Sequence, residues 1–399
     1  MDISRFPLKL GLTVDFGNYG SDSEGRGEYV KWFADDTSGD GPKMLHVYVI
    51  DRHVHSSPNR FHLGDIRRLE DVLGKFALFL KGFPQVELIT FQFPYNQLPP
   101  ELNVVSNMDE LYGSGDENLQ RKRLLEDGKI VDIEDAGYMV DSFLEIVAGT
   151  DFSSLKFDPI VLFHAGGILP TRLVGIHGNS FNEDFIIFGN LRRRLLDDQL
   201  DYHRGLLNQF SGKKVTIGLE NAPIWDVGFN NSDDAKEQSL KSYQWLSEHA
   251  FEDFEDRLSL GGTHTIDIPH TAMDSAYFSQ KSLRFFSMEM LRRSFGGIPP
   301  SLSSVRNYVK RASEFFKKRG RSTSEITFHL ADCNGLFGDN EGVIIGSKGS
   351  VINWRDFVDA VREHTSGSYG AIEVQNGHVR DNYRTHIVES LANLLGYSE

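Results

Sequence analysis

Eight short apolar or β-branched runs recur along the chain: LKLGLTVDF (8–16), MLHVYVID (44–51), VELITFQFP (86–94), PIVLFHAGG (159–167), KVTIGLEN (214–221), LGGTHTIDI (260–268), EITFHLAD (325–332) and GAIEV (370–374). Each has strand length. Between them lie segments whose apolar residues return at helical spacing, such as 66–83, 135–149 and 301–320. Strands alternating with helices imply parallel strands joined by crossovers, and eight of them predict an α/β fold closed as a (β/α)8 TIM barrel. The competing architecture is a doubly wound open sheet, but the first strand lacks the Gly-rich dinucleotide turn that would mark one. The pattern therefore predicts a single barrel domain over 1–399, with loop insertions at 17–43 and 96–134. Both insertions follow predicted strands and would project from the C-terminal face, where barrel active sites lie.

Composition narrows this picture modestly. With 39% hydrophobic and 25% charged residues the chain suits a soluble protein with a substantial core. No uncharged apolar run reaches the about 18 residues of a membrane helix, and MDISRFPLKL has no signal-peptide pattern, so the expected location is cytoplasmic and no membrane partner is expected. The lone Cys333 excludes an intrachain disulfide and a thiolate zinc cluster, leaving carboxylates and imidazoles as metal donors. A net charge of −15 disfavours a broad nucleic-acid surface. The basic runs 190–196 and 310–321 lie in predicted amphipathic helices and read as solvated faces.

The chemistry gathers at strand ends. The fourth to eighth predicted strands finish on His164, Glu220, Asp267, His329 and Glu373, one His or carboxylate each. Buried ionisable groups are costly unless paired or metal-bound, and in a barrel these positions converge on one axis. A divalent metal (Mn, Mg, Co or Zn) held by oxygen and nitrogen donors accounts for all five together. His264, three residues before Asp267, falls on the opposite side of its strand and reads as packing or surface. His53 and His55 follow the second strand and read equally as site or loop. GVIIGSKGS (342–350) reads as a turn rather than a phosphate cradle, because no Walker pattern follows.

These motifs, in this order, resemble the xylose isomerase-like TIM barrels, a superfamily of sugar isomerases and epimerases that also includes endonuclease IV. IGLEN resembles the fifth-strand metal motif, DIPH the sixth-strand Asp-x-x-His, FHLAD the seventh-strand His-x-x-Asp and AIEV the last-strand Glu. The resemblance spans about 86–374 and implies Glu220, Asp267, His329 and Glu373 as metal ligands. It also implies that His270 binds substrate or a further metal, and that Glu220 and Glu373 exchange a proton with substrate. His164, Gln92 and Asp332 join His270 as second-metal or substrate-binding candidates.

The two branches of that superfamily imply different reactions. One is isomerisation or epimerisation of a carbohydrate through an enediolate. The alternative is endonuclease IV-like, metal-dependent cleavage of abasic DNA, which FHAGG and LEN favour. Against it stand Gln92 in QFPYN, where that branch carries a ligand His, and GDNEGVIIG, which has Asp339 and Glu341 but no His. A third alternative is a non-catalytic metal-binding or scaffold barrel. The expectation is an isomerase or epimerase with a small carbohydrate substrate, and with nucleic acid as partner only under the alternative. Association into oligomers is left open.

Overall fold

A computed structural model of the chain describes residues 1–15, 23–48, 66–93, 133–165, 200–221, 255–272, 304–333, 341–350, 352–373 and 383–398. Eight parallel strands close into a barrel: β1 (Lys9–Asp15), β2 (Met44–Tyr48), β3 (Leu88–Gln92), β4 (Ile160–Ala165), β5 (Thr216–Asn221), β6 (Thr263–Asp267), β7 (Ile326–Leu330) and β10 (Tyr369–Ile372). The ring closes where Lys9 to Leu12 of β1 pair in register with Tyr369 to Ile372 of β10. Between β7 and β10, the short β8 (Asp332–Cys333) and β9 (Glu341–Val343) form a separate antiparallel ladder. The fold is the (β/α)8 barrel that the alternating pattern predicts.

Helices α1 (Ser23–Asp36), α2 (Ile66–Leu80), α3 (Ile133–Gly149), α4 (Val305–Lys318), α5 (Trp354–His364) and α6 (Tyr383–Gly396) belong to the outer layer. Their buried positions follow the helical period. In α2 they are Leu69, Leu73, Phe76, Ala77 and Leu80, and in α4 they include Val305, Tyr308, Val309, Ala312 and Phe316. Ser304 caps α4 by accepting from the Asn307 amide, and Lys317 and Lys318 sit in its last turn, where the helix dipole favours cations. The same helix carries the basic run, and its arginines are engaged along its surface. Arg311 pairs with Glu255 at 2.9 Å, and Arg319 stacks on Phe315. That run is a solvated, paired face.

One expectation changes. Residues 17–43, read from their Gly and Asp content as a loop insertion, contain α1, the ordinary β1–β2 crossover helix. Its Val30 and Phe33 are buried one turn apart, and this apolar pair outweighs the glycines at the start of the segment. Most of 96–134 lies outside the described residues; α3 begins at its end.

Inside the barrel, polarity rises from the N-terminal to the C-terminal end. At the bottom Lys9 and Tyr369 both reach Glu87 at 2.8 Å. Burial alone would raise the Glu87 pKa, but these donors hold it below the ordinary value. Above lies an apolar plug of Met44, Leu88, Ile160, Leu162, Tyr369 and Ala371. Higher still come Thr265 against Thr327 at 2.7 Å and His46 against Thr90 at 2.8 Å. The strand pleat carries this alternation upward, so the last inward position of each strand is presented at the mouth.

Candidate metal centre

The plug excludes water from below, and above it Glu220, Asp267, His329 and Glu373 come together from β5, β6, β7 and the end of β10. All four are buried, at 2%, 4%, 0% and 4% exposure respectively. The His329 Nδ1 atom is the common centre: it lies 3.0 Å from Glu220 Oε1, 2.9 Å from Glu373 Oε2 and 3.8 Å from Asp267 Oδ2. One imidazole can carry at most one positive charge, whereas three carboxylates surround it. Fully ionised, the three carboxylates would outnumber the charge of that imidazole by two, a surplus that a divalent cation would offset in a buried setting. The donor set of three carboxylates and one imidazole fits a divalent ion. Two groups have ligand atoms within 4.8 Å of one another: Glu220, Asp267 and His329, and His46, His329 and Glu373.

Local sequence explains how Asp267 is held. Beyond β6 the chain turns into one helical turn over 268–272, and Asp267 is its cap: Oδ1 accepts the His270 amide at 2.8 Å. Oδ2 then faces His329. Asn221, at the end of β5, clamps the same corner by accepting from the Asp267 amide at 2.8 Å and donating to the Asp267 carbonyl at 3.2 Å. His270 Nδ1 donates to the Asn221 carbonyl at 2.8 Å. A carbonyl only accepts, so this bond places the proton on Nδ1, and in the neutral ring Nε2 then carries the lone pair a ligand would use. The adjacent residues of LEN and DIPH thus work as one corner.

Two residues at this site carry no expectation from the sequence. His46 and Tyr48, on successive inward positions of β2, both reach it. The His46 ring lies 4.1 Å from that of His329, and Tyr48 donates a hydrogen bond to Glu373 Oε1. For His46 the signal was present in MLHVY as a polar residue in an apolar run, the same interruption that marks Asp267. His53 and His55 lie outside the described residues.

The remaining candidates separate. Gln92, at the top of β3, is buried, and neither its Oε1 nor its Nε2 has a hydrogen-bond partner among the described residues. His164 is the register partner of Glu220, and its side chain lies outside the described residues. Asp332 is not part of the cluster's contacts among the described residues. Each of its oxygens instead takes two donors, Oδ1 from the Cys333 amide and Ser350 Oγ, and Oδ2 from the Gly346 amide and Trp354 Nε1. That is the geometry of a loop anchor. GVIIGSKGS is accordingly a turn: the Gly346 amide is used by Asp332, and those of Ser347 and Ser350 by Ile344 and Ser347 carbonyls.

His264 faces outward and packs. It is fully buried, with Nδ1 donating to the Leu219 carbonyl at 3.1 Å, and burial lowers its pKa to about 4. Asp339 lies outside the described residues.

Fold and site together define the class: a (β/α)8 barrel with a buried carboxylate–histidine cluster at its C-terminal mouth. Neither the known protein families nor the curated proteins compared with it give a match. Among solved structures, the chain is similar to endonuclease IV from Thermus thermophilus, at 12% identity, with 98% of each chain covered and a TM-score of 0.38. A second likeness is to the FMN-bound oxygenating constituent of 3,6-diketocamphane monooxygenase from Pseudomonas putida, at 11% identity, 97% of each chain and a TM-score of 0.24. Such likenesses concern fold alone and carry no argument about chemistry. No helix among the described residues is long and apolar enough to cross a membrane.

Proposed function

We propose that the protein is a divalent-metal-dependent isomerase or epimerase acting on a carbohydrate. The observation that carries the reading is the convergence of Glu220, Asp267 and Glu373 on His329 Nδ1. Glu220, Asp267, His329 and Glu373 would hold the ion, which when bound offsets the carboxylate charge and polarises adjacent oxygens of a hydroxycarbonyl compound. Glu220 and Glu373 approach the centre from different strands, so each can address a different face of a substrate seated between them. One carboxylate takes the proton from the carbon beside the carbonyl, and the released electron pair becomes the enediolate. The other, protonated at the start of the turnover, gives up its proton to the neighbouring carbon in isomerisation or to the opposite face of the same carbon in epimerisation, and the two acids exchange protonation states with solvent between turnovers. For isomerisation, a second proton moves between the two substrate oxygens. The apolar plug below and the burial of the acids keep bulk water away from the transfer.

The test is metal content per chain by inductively coupled plasma mass spectrometry, followed by proton NMR of a panel of neutral aldoses and ketoses in D2O. About one Mn, Co, Mg or Zn per chain with deuterium entering beside the carbonyl is expected. Asp267→Ala should lose the metal and the exchange while its melting temperature stays near that of the chelated parent. Full exchange in that variant would sink the assignment, and cleavage of an abasic duplex without exchange would move it to phosphodiester chemistry.

A further inference from the structure

The side of the mouth formed by β2 and β3 has a different chemistry from the acids on β5, β6 and the end of β10. Leu88, Thr90 and Gln92 alternate with Ile89 and Phe91 on β3. Phe91 faces the helices, against Phe76 and Phe143. Leu88 lies in the interior plug, and Thr90 reaches His46, whose ring packs on His329. The pleat therefore directs Gln92 inward, one step above Thr90 toward the mouth. Its register partner is Tyr48, which is bonded to Glu373. Gln92 is 6% exposed, and both its amide atoms are without hydrogen-bond partners among the described residues.

A buried side-chain amide left without partners carries the full desolvation penalty of both its polar groups, so a partner from outside the chain would recover that cost. What the amide can accept as partner is restricted by its own atoms. Nε2 donates and Oε1 accepts, side by side. A hydroxyl, which both donates and accepts, satisfies the pair. A phosphate or carboxylate oxygen would satisfy Nε2 but face Oε1 with a second acceptor, in a mouth already carrying three carboxylates. An ammonium would satisfy Oε1 and oppose Nε2.

We infer that Gln92 is a specificity-determining residue that binds a neutral hydroxyl of the substrate, so the part of the substrate lying against β2 and β3 is an unphosphorylated polyol carbon. This rests on the proposed function and deepens it by naming the charge state of the substrate at that wall. Gln92 is on this reading a substrate-binding side chain and not a metal ligand.

The test uses crystals of the full-length, metal-loaded protein soaked separately in molar glycerol and in inorganic phosphate, with metal content measured on the parent, Gln92→Met and Gln92→Glu. A glycerol hydroxyl within hydrogen-bond distance of both Gln92 amide atoms, no phosphate there, and unchanged metal content in Gln92→Met are expected. Should Gln92→Met misfold, the near-isosteric Gln92→Glu keeps the comparison: it removes the donor, so a hydroxyl can only donate to it and the paired donor-and-acceptor contact should be lost. Phosphate on Nε2, a protein side chain satisfying both amide atoms, no glycerol at the amide, or loss of metal from Gln92→Met would each overturn the inference. Metal bound at His329 without glycerol at Gln92 would refute this inference and leave the metal centre standing. An absence of metal would refute the centre itself.

Discussion

Glu373 is held from two sides, with Oε2 at 2.9 Å from His329 Nδ1 and Oε1 accepting from the Tyr48 hydroxyl. The Tyr48 bond fixes the rotation of this carboxylate and so keeps Oε2 beside His329, which makes Tyr48 a positioning residue for a proposed ligand. Outer partners of this kind typically affect metal affinity by about 10–100-fold when removed. Tyr48→Phe should therefore weaken Mn2+ binding by about tenfold or more, measured by titration calorimetry on chelated protein, with little change in melting temperature. Equal affinity would remove Tyr48 from the site. The meeting of Glu220, Asp267, His329 and Glu373 at one end of the barrel was legible in the sequence because each interrupts an apolar run at a strand end. Tyr48 was not, because an aromatic residue in such a run looks like core.

The segment between β7 and α5 hangs on one carboxylate. Asp332 gathers the amides of Cys333 and Gly346, the Ser350 hydroxyl and the Trp354 indole, so β8, the turn after β9 and the start of α5 share a single anchor. Asp332→Asn would turn an –NH2 toward two existing donors, at a cost of about 2–4 kcal/mol in unfolding free energy by urea titration. Faster hydrogen exchange at Gly346 should accompany it. Metal content should not change; its loss would assign Asp332 to the centre. The His-x-x-Asp spelling of FHLAD placed this residue near the site, but a motif cannot tell which donors its carboxylate will meet. Three of the four come from 14 to 22 residues further on.

Closure of the ring depends on close approach of backbones. A Cβ built on Gly11 would lie 1.9 Å from the Met44 carbonyl oxygen of β2, whereas one on Gly218 would lie 2.6 Å from the Ile160 and Leu162 methyls. Paired backbone cannot yield, but side-chain ends can. Gly11→Ala should cost at least about 3 kcal/mol, and clearly more than Gly218→Ala, by urea midpoint at constant slope. Stability should also depend on acid through two histidines in the layer around the barrel. Burial, helped by the charge of Arg257, lowers His203 to about 4, and burial lowers His264 to about 4 despite the Leu219 carbonyl bond. Both are neutral when folded and take up protons on unfolding below an ordinary value of about 6.5. Their contribution is thus full above that pH and is lost as pH falls toward about 4, on the order of 3 kcal/mol for each group. Urea titrations at several pH values should show stability falling through this window, with a shallower fall in His264→Asn. An equal fall would show that His264 does not contribute.

Strand count, helix faces and the acids at the strand ends were legible because each follows from a local period: two for a pleated strand, 3.6 for a helix, and an interruption where a strand reaches the mouth. The gathering of Asp332's donors depended on closure of the ring, which sets neighbours far apart in the chain side by side. So did the meeting of His46 with His329 and of Tyr48 with Glu373. Periodicity states which way a side chain points; only the closed barrel supplies what stands opposite it.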